Sequence, residues 1–489
     1  MDILNKLVFS PFEWSMSDRV SKSPMEFIVR LDCRGNIDVA KFSEAIAAEL
    51  KRQPLFQANA TVGHTHRDSF WRPASNCVPQ IQWCDGDPDQ GRGFPDEFAP
   101  IDLESEIGFR FYGWRSIPND QDRIVMKFVY HHACCDGKGG FQFAENVFHR
   151  YQCLMDNKTR CSTDVPAVDE QQLLSRHLLS ENKLSLKDRI WRALIVRPKR
   201  VAKMLLSKPR VFSSQARIGN DGEGATFADP PRQCTTELSE EETKQLGGFA
   251  KKLSASTNTI LARELFHTLN DHFENSSNLN NDGNSQTHGT KASRNNRDLR
   301  IMVPFSLRDE RHQSMPVANC VSIVYLETSS KALEDDNSGA PALVSELVRQ
   351  VDYIRRWNLQ FSWIESINTY ARVWPIVRLL KFGRKSRSVT MAPIATTVMT
   401  NLGRVFNESE LVDGQGEFAV KGLVVESVHV LPPCNATISV NFSVNFYGNC
   451  LTLDASYLPS LIAQETAAGM LGMWKRRILD SVAGSTVDS

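Results

Sequence analysis

The strongest constraint on the fold is a short stretch in which a buried strand runs through two histidines into a glycine-rich turn and a helix. Residues 124–130 (IVMKFVY) are rich in β-branched and aromatic side chains, which is typical of a largely buried strand. His131 and His132 follow directly. Gly137 begins a turn of low steric cost, and apolar residues at helical spacing over 141–151 predict a helix. The sequence therefore predicts mixed α and β structure with an imidazole held at the edge of a core.

The spacing His132-x-x-x-Asp136 suits two kinds of chemistry. As a general base, His132 would have its ring oriented by Asp136, unless Asp136 instead braces the loop through a basic partner. As metal ligands, the pair would need a third ligand; the sequence offers none at close spacing and no HExxH motif, so we expect no metal site. A third interpretation is a buried histidine pair satisfied by backbone carbonyls. Two adjacent histidines at a strand end, followed by Asp-Gly, favour a functional role.

The segment HHACCDG resembles the HHxxxDG signature of the CoA-dependent acyltransferase superfamily, which includes condensation domains of nonribosomal peptide synthesis, wax ester synthases, alcohol acetyltransferases and plant BAHD enzymes. Three further segments follow in the family's order. MVPFSLR at 302–308 resembles its VPxxLR strand, ANCVS at 318–322 its GN-containing strand with Ala in place of Gly, and TNLG at 400–403 its (S/T)N-x-G segment. The resemblance covers most of the chain in element order.

The resemblance implies an α+β fold of two chloramphenicol-acetyltransferase-like lobes. Each lobe would be a mixed sheet with flanking helices, and the two would form a V with a central tunnel. We predict a first lobe at 1–160, a connector at 161–231 and a second lobe at 232–489. Residues 275–296 are rich in Asn, Ser and Gly, and we expect a disordered surface loop there.

Local patterns predict individual elements. Asp38 is a candidate N-cap, and Ser239 with Glu242 three residues later forms a candidate capping box. We further expect a strand at 54–60, one helix from 342 to about 371, and a meander of three consecutive strands at 423–431, 438–446 and 450–456.

Composition narrows the function classes. Lys plus Arg and Asp plus Glu are both 57, so the net charge gives no reason to expect a nucleic-acid partner. Eleven cysteines without a CxxC pair indicate reduced thiols and a cytoplasmic location rather than a disulfide framework. The N-terminus lacks the apolar stretch of a signal peptide, and no segment approaches the ~20 apolar residues of a spanning helix. We expect a monomer.

The predicted connector contains a basic amphipathic segment. Over 183–217, eleven Lys and Arg residues are interleaved with apolar residues and a single acid, Asp188. One interpretation is docking to an anionic membrane surface, where the protein would be peripheral, to an acyl carrier protein, or to CoA phosphates. The other is a solvated crossover helix that packs between the lobes by its apolar stripe. A second basic stretch at 372–387 favours a surface-associated role.

For the mechanism, the resemblance implies an acyltransferase that moves an acyl group from acyl-CoA or an acyl-carrier thioester to a hydroxyl or amine of a small molecule, with an ester favoured over an amide. His132 would take the acceptor proton in a ternary complex without a covalent acyl-enzyme, and the sequence has no GxSxG elbow. The family gives Asp136 a bracing role, and Arg308 is our candidate for its ion-pair partner. His131 and Gly137 would support the site.

The resemblance also places Asn401 and Gly403 in the tunnel wall near the acceptor, and it implies no permanently bound cofactor, since the thioester is a substrate. The DFGWG segment of plant BAHD enzymes is missing, which argues against an enzyme of that type. No adenylation or carrier region adjoins, so we expect a free-standing protein rather than a synthetase module. Two alternatives stay open: a cysteine nucleophile at Cys134 or Cys135, against simple burial, and a non-catalytic relative that binds a carrier protein or lipid. We interpret His429 as structural.

Overall fold

The structure is a computed structural model. It describes residues 3–17, 24–75, 78–86, 94, 99–116, 123–157, 167–176, 185–196, 198–199, 207–212, 230–279, 298–309, 312, 314–337, 342–380, 394–413, 416–434 and 438–484. Residues 280–296 of the predicted loop, and 381–387 of the second basic stretch, lie outside this described part.

The strands and helices are numbered here in chain order. The strands are β1 (Glu26–Gly35), β2 (Ala58–Thr61), β3 (Phe70–Pro73), β4 (Gln80–Asp85), β5 (Phe109–Arg115), β6 (Arg123–His131), β7 (Arg232–Leu238), β8 (Leu299–Ser306), β9 (Val321–Thr328), β10 (Thr397–Arg404), β11 (Ala419–Val420), β12 (Leu423–Leu431), β13 (Val440–Tyr447) and β14 (Cys450–Tyr457). The helices are α1 (Pro11–Met16), α2 (Val39–Leu50), α3 (Gly137–Met155), α4 (Leu186–Trp191), α5 (Glu240–Lys252), α6 (Thr257–Leu279), α7 (Ser330–Asn337), α8 (Ala342–Arg356), α9 (Ser362–Leu380) and α10 (Gln464–Gly484).

Two six-stranded mixed sheets form the framework. The first has the order β11-β12-β1-β6-β5-β4, and the second β7-β14-β13-β10-β8-β9. Antiparallel pairs dominate both, but β4 runs parallel to β5, and β10 runs parallel to β8 and β13. Helices flank both sheets, which confirms the predicted fold class. The V shape, the tunnel and the lobe boundaries stay predictions.

Each sheet has a core of its own. In the first, α2 and α3 bring Phe42 to ring distances of 5.4 Å from Phe148 and 5.3 Å from Tyr151. In the second, the fully buried Trp474 of α10 lies 5.3 Å from the Phe442 ring, and its indole nitrogen donates to a carbonyl of α6 at 3.0 Å. Aromatic side chains thus supply much of the buried area that fixes helices on each sheet.

The predicted meander is wrong in its first strand. β12 does not continue into the β13–β14 hairpin; it pairs antiparallel with β1, where Ile28 lies opposite Leu431. Val425, Val428 and Val430 of β12 are buried in the core of the first sheet. A C-terminal strand therefore completes the N-terminal sheet, because its apolar face is buried against that core.

His429 of β12 lies where the two sheets meet. Its Nδ1 is 3.3 Å from the buried Asp454 of β14, and its Nε2 is 3.8 Å from Asp32 of β1. Ser427 Oγ is 2.9 Å from Nε2. These contacts agree with the structural role that the sequence predicted for His429.

The predicted helix caps, which depend on residues three positions apart, were confirmed, whereas several predicted element bounds were wrong. Asp38 caps α2 and the Ser239–Glu242 capping box opens α5, as predicted. The strand predicted at 54–60 begins only at Ala58, because Pro54 starts a 3-10 turn. The helix predicted over 342–371 is two helices, α8 and α9, separated by Asn358, which has a left-handed φ of 49°. Residues 275–279 of the predicted loop are helical, since α6 continues to Leu279.

Candidate functional site

The strand β6 delivers two histidines to different environments. His131 is fully buried as the last residue of the strand; its backbone N–H donates to the Gly108 carbonyl at 3.0 Å. Its ring Nδ1 accepts from the Ala133 N–H at 3.1 Å, which closes the turn. The partner of the His131 ring is thus a backbone N–H, whereas the buried histidine pair considered from the sequence would be satisfied by backbone carbonyls.

His132 is only partly buried, and its ring is held from several sides. Its backbone N–H donates to the Met25 carbonyl at 2.8 Å, and the centroid of the Phe27 ring lies 5.2 Å from that of the imidazole. Burial lowers the pKa of His132 below its ordinary 6.5, although the nearby Asp136 charge raises it in part. The imidazole is therefore neutral at neutral pH, as a general base must be.

Asn319 joins the second sheet to His132. Its Oδ1 accepts from the Val321 N–H at 3.2 Å, which fixes the amide orientation. Its Nδ2 donates to the His132 carbonyl at 2.5 Å and lies 3.3 Å from the His132 ring Nδ1. From the sequence, Asn319 was named only as part of the ANCVS segment, with no role in the site. That segment was the available signal, but nothing local tied it to His132.

The predicted ion pair between Asp136 and Arg308 is present. Asp136 is fully buried; one oxygen accepts from the Gly139 N–H at 2.8 Å, and the other from the Cys320 N–H at 2.8 Å and from Arg308 Nη1. Arg308 Nη2 donates to the Ala318 carbonyl at 2.9 Å. Burial alone would lower the pKa of Arg308, but the Asp136 carboxylate holds it above its ordinary value. Asp136 thus caps α3 and ties the turn to the second sheet. Of the two roles considered from the sequence, these contacts favour bracing of the loop through a basic partner.

Gly137 makes room for a residue of the second sheet. A Cβ at this position would overlap the end of the Leu402 side chain from β10. The glycine in the turn therefore allows β10 to approach the histidine turn closely.

Asn401 and Gly403 lie on either side of Leu402 but face another part of the protein. Asn401 Oδ1 accepts from the Gly403 N–H at 2.7 Å, and its Nδ2 contacts Asn258 of α6. Both residues line a cavity of about 570 Å³, together with Lys244 and Arg404. The structure thus brings His131, His132, Asp136, Gly137 and Arg308 together, and puts Asn401 and Gly403 in a neighbouring polar cavity.

The adjacent cysteines are packed into the core. Cys134 and Cys135 are fully buried, and burial raises the pKa of both thiols well above the ordinary value. Cys135 Sγ lies 3.1 Å from the Asp136 carbonyl. Neither is a thiolate at neutral pH, which favours the burial interpretation over a nucleophile.

The part of the chain that the structure describes contains neither a metal cluster nor a membrane span. No group of three or more His, Cys, Asp or Glu side chains in that part could hold a metal ion. Among the described helices, none is both long enough and apolar enough to cross a membrane.

Comparisons show which known fold this is. No family profile matches the sequence, and no curated protein matches it. A trichothecene 15-O-acetyltransferase from Fusarium sporotrichioides aligns with a TM-score of 0.66 at 11% identity, over 97% of this chain and 94% of that chain. The starter condensation domain of rhizomide synthetase, in complex with C8-CoA, aligns at 0.59 and 14% identity, over 98% and 95%. Polyketide synthase associated protein 5 from Mycobacterium tuberculosis aligns at 0.56 and 12%, over 98% and 99%.

These likenesses span nearly the whole of each chain. At such low identity they show the fold, so the chain has the fold of acetyltransferases and condensation domains, as the HHxxxDG resemblance implied.

Proposed function

We propose that this protein is an acyltransferase that moves an acyl group from a thioester to a hydroxyl or amine acceptor, with His132 as general base. The observation that carries the proposal is a neutral, partly exposed imidazole at the junction of the two sheets, tied to Asn319 and flanked by the Asp136–Arg308 brace. The fold supports the proposal, because an O-acetyltransferase and a condensation domain in complex with C8-CoA have the same fold.

The proposed reaction is one direct transfer. A ring nitrogen of His132 takes the acceptor proton while the acceptor oxygen or nitrogen attacks the thioester carbonyl. The tetrahedral intermediate collapses with cleavage of the C–S bond, and the imidazolium returns the proton to the leaving thiolate. No acyl-enzyme forms, and the thioester is a substrate rather than a resident cofactor. Asn319 positions the imidazole, and Asp136 with Arg308 holds the turn on which it stands.

The donor class and the acceptor class are each supported by particular structural neighbours. An acyl-CoA donor is supported by the fold neighbour in complex with C8-CoA, and an acyl-carrier thioester by the likeness to condensation domains. A hydroxyl acceptor, and hence an ester product, is supported by the likeness to the 15-O-acetyltransferase. Asn401 and Gly403 are proposed to line a substrate-binding region beside the histidine turn.

The test is release of free thiol from a panel of acyl-CoAs with mixed alcohol and amine acceptors. His132→Ala should lower acceptor-dependent release by about 10²-fold or more. His64→Ala, which removes an exposed histidine, is the matched control and should match wild type. Circular dichroism must first show that all three proteins fold alike.

The outcomes separate the alternatives. Acceptor-dependent release that survives in His132→Ala contradicts the base assignment. If wild type releases no thiol above the His132→Ala background, the panel is repeated with acyl groups on a carrier protein. If no thiol is released with either donor, the proposal is refuted, and a non-catalytic protein that binds a carrier protein or lipid is favoured.

A further inference from the structure

An exposed apolar patch lies on the connector between the two sheets. Three neighbouring side chains of the connector, Ile190, Trp191 and Leu194, are 51%, 53% and 68% exposed. With Trp357, which directly follows α8, they line an apolar surface hollow of about 790 Å³. Single exposed apolar residues are ordinary on proteins, but a contiguous group of large ones marks an interaction site. These four residues are called the connector patch.

The patch faces outward because one charged residue faces inward. Arg192 is buried at 6% exposure, and its two terminal nitrogens donate to Glu365 of α9 at 2.8 and 2.9 Å. It also donates to the Asn358 carbonyl at 3.0 Å. This anchor, with the buried Val196, fixes the rotation of the segment on the second lobe. Ile190, Trp191 and Leu194 are therefore not packed as the second interpretation of the sequence predicts, while residues 200–206 of the same segment lie outside the described part.

Cations lie at the connector patch and on the chain next to it, and Lys187 lines the same hollow. Lys187, Arg189 and Lys199 are exposed on the same segment, and the guanidinium of Arg356 lies 5.5 Å from the Trp357 ring. The one acid of the segment, Asp188, accepts from the Ser185 hydroxyl at 2.7 Å within the helix cap. The whole chain has no net charge, so these cations form a local excess of positive charge.

We propose that the connector patch docks the protein on an anionic lipid surface. The exposed side chains of Ile190, Trp191 and Leu194 would insert at the level of the headgroups, and the neighbouring lysines and arginines would meet lipid phosphates and carboxylates. A neutral protein partner or a second copy of this neutral chain would leave the cationic rim without a complement. The anionic bilayer satisfies both the apolar and the charged parts of the surface.

The test is co-sedimentation of the full-length protein with vesicles, without substrates. Vesicles of phosphatidylcholine with phosphatidylserine should bind the protein, those of phosphatidylcholine alone should not, and binding should weaken as salt rises. The double variants I190S/L194S and K187E/R189E should each lower the bound fraction about tenfold. Val78→Ser removes an apolar side chain that is 70% exposed elsewhere and should bind as wild type does.

The proposal is overturned if wild type does not bind anionic vesicles, or if both double variants bind as well as wild type. It is also overturned if light scattering shows a dimer that I190S/L194S converts to monomer, because the patch would then hold a second copy. The measurement involves no acyl transfer, so its result stands apart from that of the proposed function.

Discussion

Removing the arginine that pairs with the buried Asp136 should destabilise the whole protein, not only the site. Arg308→Met keeps the length of the side chain but leaves the Asp136 carboxylate, whose side chain is 0% exposed, without its cation. Loss of one partner of a buried pair costs about 3–5 kcal/mol. Because Asp136 would still accept from the Gly139 and Cys320 N–H groups, we expect the lower end, about 3 kcal/mol.

The assay is urea unfolding followed by far-UV circular dichroism. Arg349→Met, in an ion pair with Glu346 whose side chains are 73% and 43% exposed, is the matched control and should cost about 0.5 kcal/mol or less. Asp136→Asn preserves an N-cap side chain while removing the charge. Combined with Arg308→Met, it should destabilise less than the sum of the two single variants, because neither charge is then left alone.

Two results would refute this reasoning. One is an Arg308→Met protein whose unfolding free energy lies within about 1 kcal/mol of wild type, which is the range of an exposed pair. The other is a double variant that loses the full sum of the single losses, because the two side chains would then act independently.

Three further predictions follow from particular contacts. Because burial lowers the pKa of His132 and only the neutral ring accepts a proton, kcat/KM should fall on the acid side only below pH 6.5; an acid limb at or above 6.5 would contradict this. Asn319→Ala should lower kcat about 10²-fold in the acyl transfer assay with little change in KM, as expected of a positioning residue; a change confined to KM would argue against that role. Gly35→Ala should cost about 1–3 kcal/mol in urea unfolding more than Gly86→Ala, since both have positive φ but only at Gly35 would a Cβ overlap a backbone carbonyl, that of Gly422.

Much of the candidate site could be predicted from the amino-acid sequence. Strand β6, its turn and helix α3 come from one continuous stretch, and the HHxxxDG resemblance identified His132, Asp136 and Arg308. Asn319 was missed because its contact with His132 joins residues 187 positions apart, and no periodicity in the sequence reports such a distance. Asn401 and Gly403 were found as a motif, but their neighbouring cavity is formed by other elements of the second lobe.

The sequence by itself determined the local elements: the caps at Asp38 and Ser239, the buried strand before the histidines and the overall mixture of strands and helices. These depend on propensities and hydrogen bonds within a few residues. Only the tertiary structure decided that β12 completes the first sheet and that Ile190, Trp191 and Leu194 of the connector point outward. Both outcomes depend on contacts between residues that are far apart in the sequence. The valines of β12 are buried in the core of the first sheet, and Arg192 forms an ion pair with Glu365. An apolar pattern in the sequence predicts that a face will be buried, but only the folded chain determines which element packs against it.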